Sequence, residues 1–218
     1  MWEDNDKGNY IMHVKNGCGQ ICNDDFSQII KNIASNNNYK TFLEIGTWNG
    51  MGSTRAFKDG FEKRKTDYIF YSLECNKEKA EFASNLYQNY NNIHILNEVI
   101  WNEEPENFYD IFPQCKTNEV YKKWNEVDII NMKQCNLFLD RTNLPDIFDV
   151  LLLDGGEFTT YFEFQLLKNR CKLLLLDDIN VAKCTLIVKE IQENPEKWEI
   201  IQKNTRTRNG YLIAKHKI

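Results

Sequence analysis

The stretch Leu43-Glu44-Ile45-Gly46-Thr47-Trp48-Asn49-Gly50-Met51-Gly52-Ser53 runs from an apolar segment into a glycine-bearing turn and then into a helical pattern. Gly46 and Gly50 permit backbone turns and a close ligand approach that a Cβ would obstruct. With glycines at 46, 50 and 52, the spacing G-x-G-x-x-G is not met, and no G-x-x-x-x-G-K-S/T loop is present. Neither a dinucleotide pyrophosphate cradle nor a triphosphate loop is therefore expected. Glu44, just ahead of the turn, is a poor neighbour for phosphates and a good one for a cation. Glu74 ends the next apolar run, where a carboxylate can accept both ribose hydroxyls of a nucleoside. Together they predict a nucleoside that carries positive charge.

A second group of acids follows two later apolar runs, as Asp154-Gly155-Gly156-Glu157 and Asp177-Asp178-Ile179-Asn180. Three carboxylates converging with no Lys or Arg in the immediate motif would raise one another's pKa unless a cation lay between them. A hard, oxygen-preferring ion such as Mg²⁺ or Mn²⁺ suits Asp154, Asp177 and Asp178. The competing role for Asp177 and Asp178 is capping the helix that follows. Glu157 could serve as base for a hydroxyl that a metal has already acidified, whereas a free alcohol would resist it. The close pair Cys18 and Cys22 lacks the second Cys or His pair that a zinc site needs. His94 and His216 fall where packing or surface roles are expected, and His13 could reach the site only if the N-terminal arm folds over it.

Apolar runs bounded by turn residues predict strands over Thr41 to Ile45, Tyr68 to Leu73, Ile93 to Asn97, Phe148 to Leu153 and Lys172 to Leu176. Each is short and almost continuously apolar, as expected when helices cover both faces of a parallel sheet. Helical spacing places helices over Phe26 to Ala34, Ser53 to Phe61, Lys77 to Tyr87, Thr160 to Leu167 and Val181 to Gln192. Asp25 or Asn23 would cap the first, and Ser53 or Thr54 the second. This alternation predicts a doubly wound α/β fold with a mostly parallel seven-stranded sheet. It would close with an antiparallel hairpin, Trp198 to Gln202 and Tyr211 to Lys215. Residues 102–145, with Tyr109, Phe112, Tyr121 and Trp124, exceed a simple crossover and could cap the substrate or merely pack. Residues 1–37 read as an N-terminal arm and first helix, also a candidate substrate cap, and residues 38–218 as the main domain.

The chain has 218 residues, 42% of them hydrophobic and 27% charged, which describes one globular domain rather than a disordered tail. A net charge of −5 creates no field that draws it to nucleic acid or an anionic membrane. The longest leucine run, Leu173 to Leu176, is hemmed by Lys172 and Asp177, so no transmembrane helix is expected. An acidic N-terminus and seven scattered cysteines argue for reduced thiols and a cytoplasmic protein.

The glycine turn after Glu44, the acid Glu74 and the closing hairpin resemble the class I S-adenosylmethionine-dependent methyltransferases, over roughly residues 38 to 215. The resemblance implies Glu44, Gly46, Thr47, Gly50 and Ser53 around the methionine end of the cofactor, Glu74 on its ribose, and Asn97 and Glu98 near its adenine. Asp154, Asp177 and Asp178 are similar to the ion-holding acids of the metal-dependent O-methyltransferases, catechol-type and sugar-modifying alike. One departure is Glu157, which stands where catechol-type enzymes carry a catalytic Lys. The implied activity is methyl transfer from S-adenosylmethionine to a hydroxyl of a sugar, glycan or related small molecule, with Asp154 and Glu157 at the catalytic end and a divalent metal assisting. Two rival expectations are a nicotinamide-dependent sugar-modifying enzyme and a non-catalytic domain with a vestigial cofactor pocket. The acceptor and the oligomeric state are not encoded in any motif.

Overall fold

The computed structural model describes residues 19–217; His13, Cys18 and most of the N-terminal arm lie outside them. In chain order the elements are α1 (Asp25–Ser35), β1 (Thr41–Ile45), α2 (Ser53–Phe61), β2 (Ile69–Leu73), α3 (Lys77–Tyr87), β3 (Ile93–Leu96) and β4 (Glu98–Val99). There follow α4 (Phe108–Ile111), α5 (Gln114–Thr117), α6 (Glu119–Met132), β5 (Asn136–Leu137), β6 (Phe148–Leu153), α7 (Thr160–Leu167), β7 (Cys171–Asp177), α8 (Ala182–Glu193), β8 (Trp198–Asn204) and β9 (Tyr211–His216).

Seven strands form one sheet in the order β3-β2-β1-β6-β7-β9-β8, and β4 pairs β5 in a two-stranded ribbon. The five strands from β3 to β7 are parallel, whereas β9 runs antiparallel to both β7 and β8. Every residue of β6 is buried. A strand that is central in the sheet and covered on both faces has no solvent side, so its sequence loses the polar alternation. The two-residue period survives in the packing instead. Leu151 and Leu153 face a core with Phe108, Phe112 and Phe162, while Val150 and Leu152 face another with Phe26, Phe57 and Phe61.

Helix starts differ from the sequence expectation in an instructive way. The cap of α1 is Asp24, between the two expected residues: Ser27 N–H donates to Asp24 Oδ1 at 2.7 Å and Asp24 N–H donates to Ser27 Oγ at 3.0 Å. Asp25 accepts instead from the Tyr211 hydroxyl at 2.9 Å, which ties α1 to the hairpin. Neither Ser53 nor Thr54 caps α2, whose N-cap Gly52 has no capping side chain. Likewise the N-cap of α8 is Val181, with no side-chain cap hydrogen bond, so Asp177 and Asp178 do not cap it.

Residues 102–145 hold α4, α5 and α6. Phe112 of this segment joins the core, packing edge-on against Phe158 at 5.4 Å. The histidines pack as expected, His94 stacked on Tyr71 and His216 on Trp198. Cys22 is disulfide-bonded, contrary to the reading of seven reduced thiols; Cys75, Cys115, Cys135, Cys171 and Cys184 are free. Thiol usage alone therefore does not assign a compartment. Among the described residues no helix is long and apolar enough to cross a membrane.

Candidate active site

A cavity of about 390 Å³ opens where β1, β2, β6 and β7 end, the edge at which open α/β sheets bind ligands. Its size lies in the ~300–1,000 Å³ range of small-molecule sites. The floor is built at Gly46, whose φ is +96°. A Cβ there would stand 2.1 Å from the carbonyl oxygen of Asp154, so only glycine lets β1 turn this close to the end of β6. Gly46 N–H and Thr47 N–H both donate to Leu73 O, at 3.0 and 3.1 Å, and Asp154 N–H donates to Ile45 O at 2.9 Å. Three strand tips are thereby locked together.

Glu74 follows β2 and faces the cavity. Its Oε2 accepts from Trp48 N–H at 2.8 Å and its Oε1 from Asn76 N–H at 2.9 Å. The Cys75 thiol makes a long second contact to Oε1 at 3.9 Å, whereas Oε2 keeps a second lone pair, so the carboxylate is aimed and still able to accept a hydroxyl. Burial pushes its pKa up, against the pull of Lys79 and these two amides.

Glu44 is different, and here the expectation is corrected. It does not line the cavity and is fully buried, accepting from Thr54 Oγ1 at 2.7 Å and Ser72 Oγ at 2.5 Å. It braces β1 to α2 and β2 beneath the loop; burial pushes its pKa up to about 7. The remaining expected cofactor residues divide. Gly46, Thr47, Ser53 and Glu98 line the cavity. Gly50 packs on α3, where a Cβ would meet Ala83 at 3.0 Å. The Asn97 side chain donates to the carbonyls of Glu74 and Cys75 at 2.8 and 3.1 Å, holding that loop rather than facing the cavity.

At the other end of the cavity, Asp154 and Asp178 line the wall and Asp177 is buried beside them, with carboxylate oxygens of the three within 4.8 Å of one another. Two cations that local spacing did not reveal stand among them. The Lys183 ammonium donates to Asp154 Oδ1 at 2.7 Å and to Asp178 Oδ2 at 2.8 Å. Arg208, reaching back from the hairpin, donates to Asp177 Oδ1 at 2.5 Å and also pairs with Asp24. Burial would lower the Lys183 pKa, but Asp154 and Asp178 outweigh it and hold it well above the usual lysine value. Burial raises Asp154 and takes Asp177 to about 7, with the neighbouring acids adding to the rise. Asp178, although buried, is held below the ordinary value because Lys183 outweighs burial.

The donor set is of the hard-oxygen kind that Mg²⁺ or Mn²⁺ prefers. The space and charge between Asp154 and Asp178 are, however, taken by an ammonium. With these side chains in place the cluster does not fit a divalent ion: the cations come from outside the two acidic motifs, and the expectation of a metal on Asp154, Asp177 and Asp178 is corrected. Glu157 also lines the cavity; its Oε1 accepts from Lys183 N–H at 3.3 Å and burial raises its pKa.

Three further charged residues face the cavity unannounced: Lys79, Asp128 of α6 and Glu163 of α7. Glu163 is 4% exposed, its Oε2 has no hydrogen-bond partner, and burial, reinforced by Asp128, pushes its pKa up to about 8. A single acid on the otherwise apolar face of Thr160 to Leu167 was the legible signal for it. Lys183 carried a weaker one, lying five residues past Asp178 in the following helix.

No family model matches the sequence, and no curated protein does. Solved structures do match. An O-methyltransferase from Bacillus cereus in complex with SAH superposes with a TM-score of 0.61 at 11% identity, covering 97% of this chain and 90% of that one. The O-methyltransferase TomG from Streptomyces achromogenes, involved in tomaymycin synthesis and solved with SAM, gives 0.55 at 12% identity over 94% and 85%. SAH-bound methyltransferase PaMTH1 from Podospora anserina gives 0.53 at 12% identity over 88% and 78%. The chain thus has the class I methyltransferase fold.

Proposed function

We propose that this protein is an S-adenosylmethionine-dependent O-methyltransferase whose acceptor is a hydroxyl of a sugar, glycan or related small molecule. The observation that carries this reading is Glu74, a carboxylate aimed by two backbone amides into a cavity at the switch edge of the sheet. Solved relatives of the fold that hold SAM or SAH support it. A bare glycine turn would not.

When bound, S-adenosylmethionine supplies a methyl group on a sulfonium, a reactive donor that needs alignment more than activation. Glu74 would accept from a ribose hydroxyl. Gly46 and Thr47 would form the floor, with Gly46 free of the Cβ that would crowd it. At the Asp154 end, Glu157 would take the acceptor's hydroxyl proton as the oxygen forms its bond to the methyl carbon. Its raised pKa brings it closer to the range in which a carboxylate works as a base.

A second reading keeps Mg²⁺ or Mn²⁺ on Asp154, Asp177 and Asp178, favoured by the closeness of their oxygens. It requires Lys183 to leave its two acid partners. A nicotinamide enzyme on the same fold would need a pyrophosphate cradle that the glycine spacing does not make.

Calorimetric titration with S-adenosylhomocysteine tests the proposal. Saturable binding to the wild type is expected, weakened ~10- to 100-fold in Glu74→Ala, the scale of hydrogen bonds to a charged group. Folded wild type that binds NAD and ignores S-adenosylhomocysteine overturns it. Unchanged affinity in Glu74→Ala removes the ribose assignment.

A further inference from the structure

We infer that the Lys183 ammonium stands in for the divalent ion of this acidic cluster, as a built-in cation that faces the acceptor oxygen and makes methyl transfer metal-independent. The catalytic half of this inference rests on the function proposed above; the claim that the cluster is closed to ions does not.

Four observations carry it. First, Lys183 is only 8% exposed and yet lines the cavity, so its charge is not a solvated surface charge that folded inward by chance. Second, an ammonium has three N–H donors. Asp154 and Asp178 are its two acceptors among the described residues, which leaves a donor for a ligand in the cavity. Third, the acids are distributed so that none needs an ion: Lys183 serves Asp154 and Asp178, and Arg208 serves Asp177. Fourth, Lys183 backbone N–H holds the Glu157 carboxylate at 3.3 Å, so one residue positions both the positive group and the candidate base.

A fixed ammonium does part of what a metal does at a hydroxyl. It donates a hydrogen bond to the oxygen and favours the negative charge that develops as the proton leaves. It cannot chelate two adjacent hydroxyls as an ion with open positions can. The inference therefore carries a substrate consequence: the acceptor need not present a vicinal pair, and a lone hydroxyl suffices. The proton passes from the acceptor hydroxyl to Glu157, and the acceptor oxygen's electron pair forms the new C–O bond. The carbon–sulfur electron pair stays on sulfur, so the sulfonium ends as a neutral thioether.

The decisive measurement is Mn²⁺ uptake by the cofactor-free full chain, followed by electron paramagnetic resonance. Wild type is expected to leave added Mn²⁺ free in solution. Lys183→Ala deletes the ammonium and leaves Asp154 and Asp178 without their cation, with Asp177 still paired to Arg208 beside them; its Mn²⁺ affinity should rise by on the order of 100-fold. Adding Asp178→Asn to Lys183→Ala should remove that gain. Tight Mn²⁺ binding by wild type that Asp154→Asn abolishes overturns the inference, whether or not any Lys183 variant folds.

Labelled methyl transfer onto a panel of sugars and phenols reads the catalytic half. Turnover should persist in EDTA, and Lys183→Met should lower kcat more than it raises KM for the acceptor, with Lys183→Arg partly restoring it. Turnover lost in EDTA and regained with Mg²⁺ overturns the inference while leaving the methyltransferase reading intact. Failure to bind S-adenosylhomocysteine does the reverse, since the Mn²⁺ result stands without it.

Discussion

At Glu44 a carboxyl group sits with no exposed surface, two hydroxyls on one oxygen and no partner on the other. Burial lifts its pKa from an unfolded 4.5 to about 7 in the fold. The folded state therefore holds a proton that the unfolded state has released, and the slope of stability with pH is negative over that interval. The contribution is fully present below pH 4.5 and is lost as pH rises through about 7. Its scale is about 3 kcal/mol, from roughly 1.4 kcal/mol per pKa unit. Thermal melts of wild type should lose stability from pH 5 to pH 8, and Glu44→Gln, which keeps the shape and cannot ionise, should make that decline shallower, leaving the part that Asp177 and Glu163 contribute. An equally steep decline in the variant contradicts this account. Residue types at strand ends were legible: Glu74 and Asp154 stand on the cavity as their positions promised. Which face an acid takes was not, because Glu44 lies within β1 and the pleat turns it to the buried side. Lys183 and Arg208 escaped for a related reason. Arg208–Asp177 and Lys183–Asp154 join distant parts of the chain and leave no local spacing to read, and the five-residue step from Asp178 to Lys183 is only a weak sign.

The seven strands of the main sheet and the five helices expected beside them were legible to within a residue or two, since buried strands announce themselves as unbroken apolar runs, whereas α4, α5, α6 and the β4–β5 ribbon were not. Helix caps were not, since Asp24, Asp25 and Asn23 offer equivalent side chains and only the backbone path selects Asp24. The functional demand on the elements is concentrated at the junction of β1 with the loop to α2. Gly46 combines φ of +96° with a would-be Cβ contact of 2.1 Å to backbone. Backbone cannot yield as a flexible side chain can, so β1 and β6 would have to part. Gly46→Ala should cost ~3 kcal/mol or more, the left-handed strain adding to the steric clash. It should also abolish S-adenosylhomocysteine binding in whatever fraction remains folded. A melting temperature within a degree or two of wild type would show that the strand tips are looser than these distances state.

Across the whole molecule, long-range contacts close the sheet around its site. The hairpin that ends the chain returns Arg208 to Asp177 and Asp24, and Tyr211 to Asp25. None of these pairings follows from sequence, which showed the hairpin but not what it would touch. The molecule is acidic overall, with net charge −5, and Glu74, Asp128 and Glu163 line the cavity together with Lys79 and Lys183. Under the proposed function, these acids, when ionised, would discriminate between a sulfonium and the neutral thioether left after transfer. Glu163 makes the discrimination depend on pH. With a pKa near 8 it is largely protonated at pH 7 and ionised at pH 9, and only the ionised form attracts the sulfonium. S-adenosylmethionine should therefore gain affinity relative to S-adenosylhomocysteine between pH 7 and pH 9, by about two- to tenfold for an added charge in a partly screened site. Competitive calorimetry at the two pH values measures the ratio, and taking it as a ratio cancels changes common to both ligands. In Glu163→Gln the ratio should stay level, because the amide fills the same space and never charges. A ratio that climbs equally in that variant would move the effect to Glu74 or Asp128, and with it the direction from which the cavity recognises positive charge.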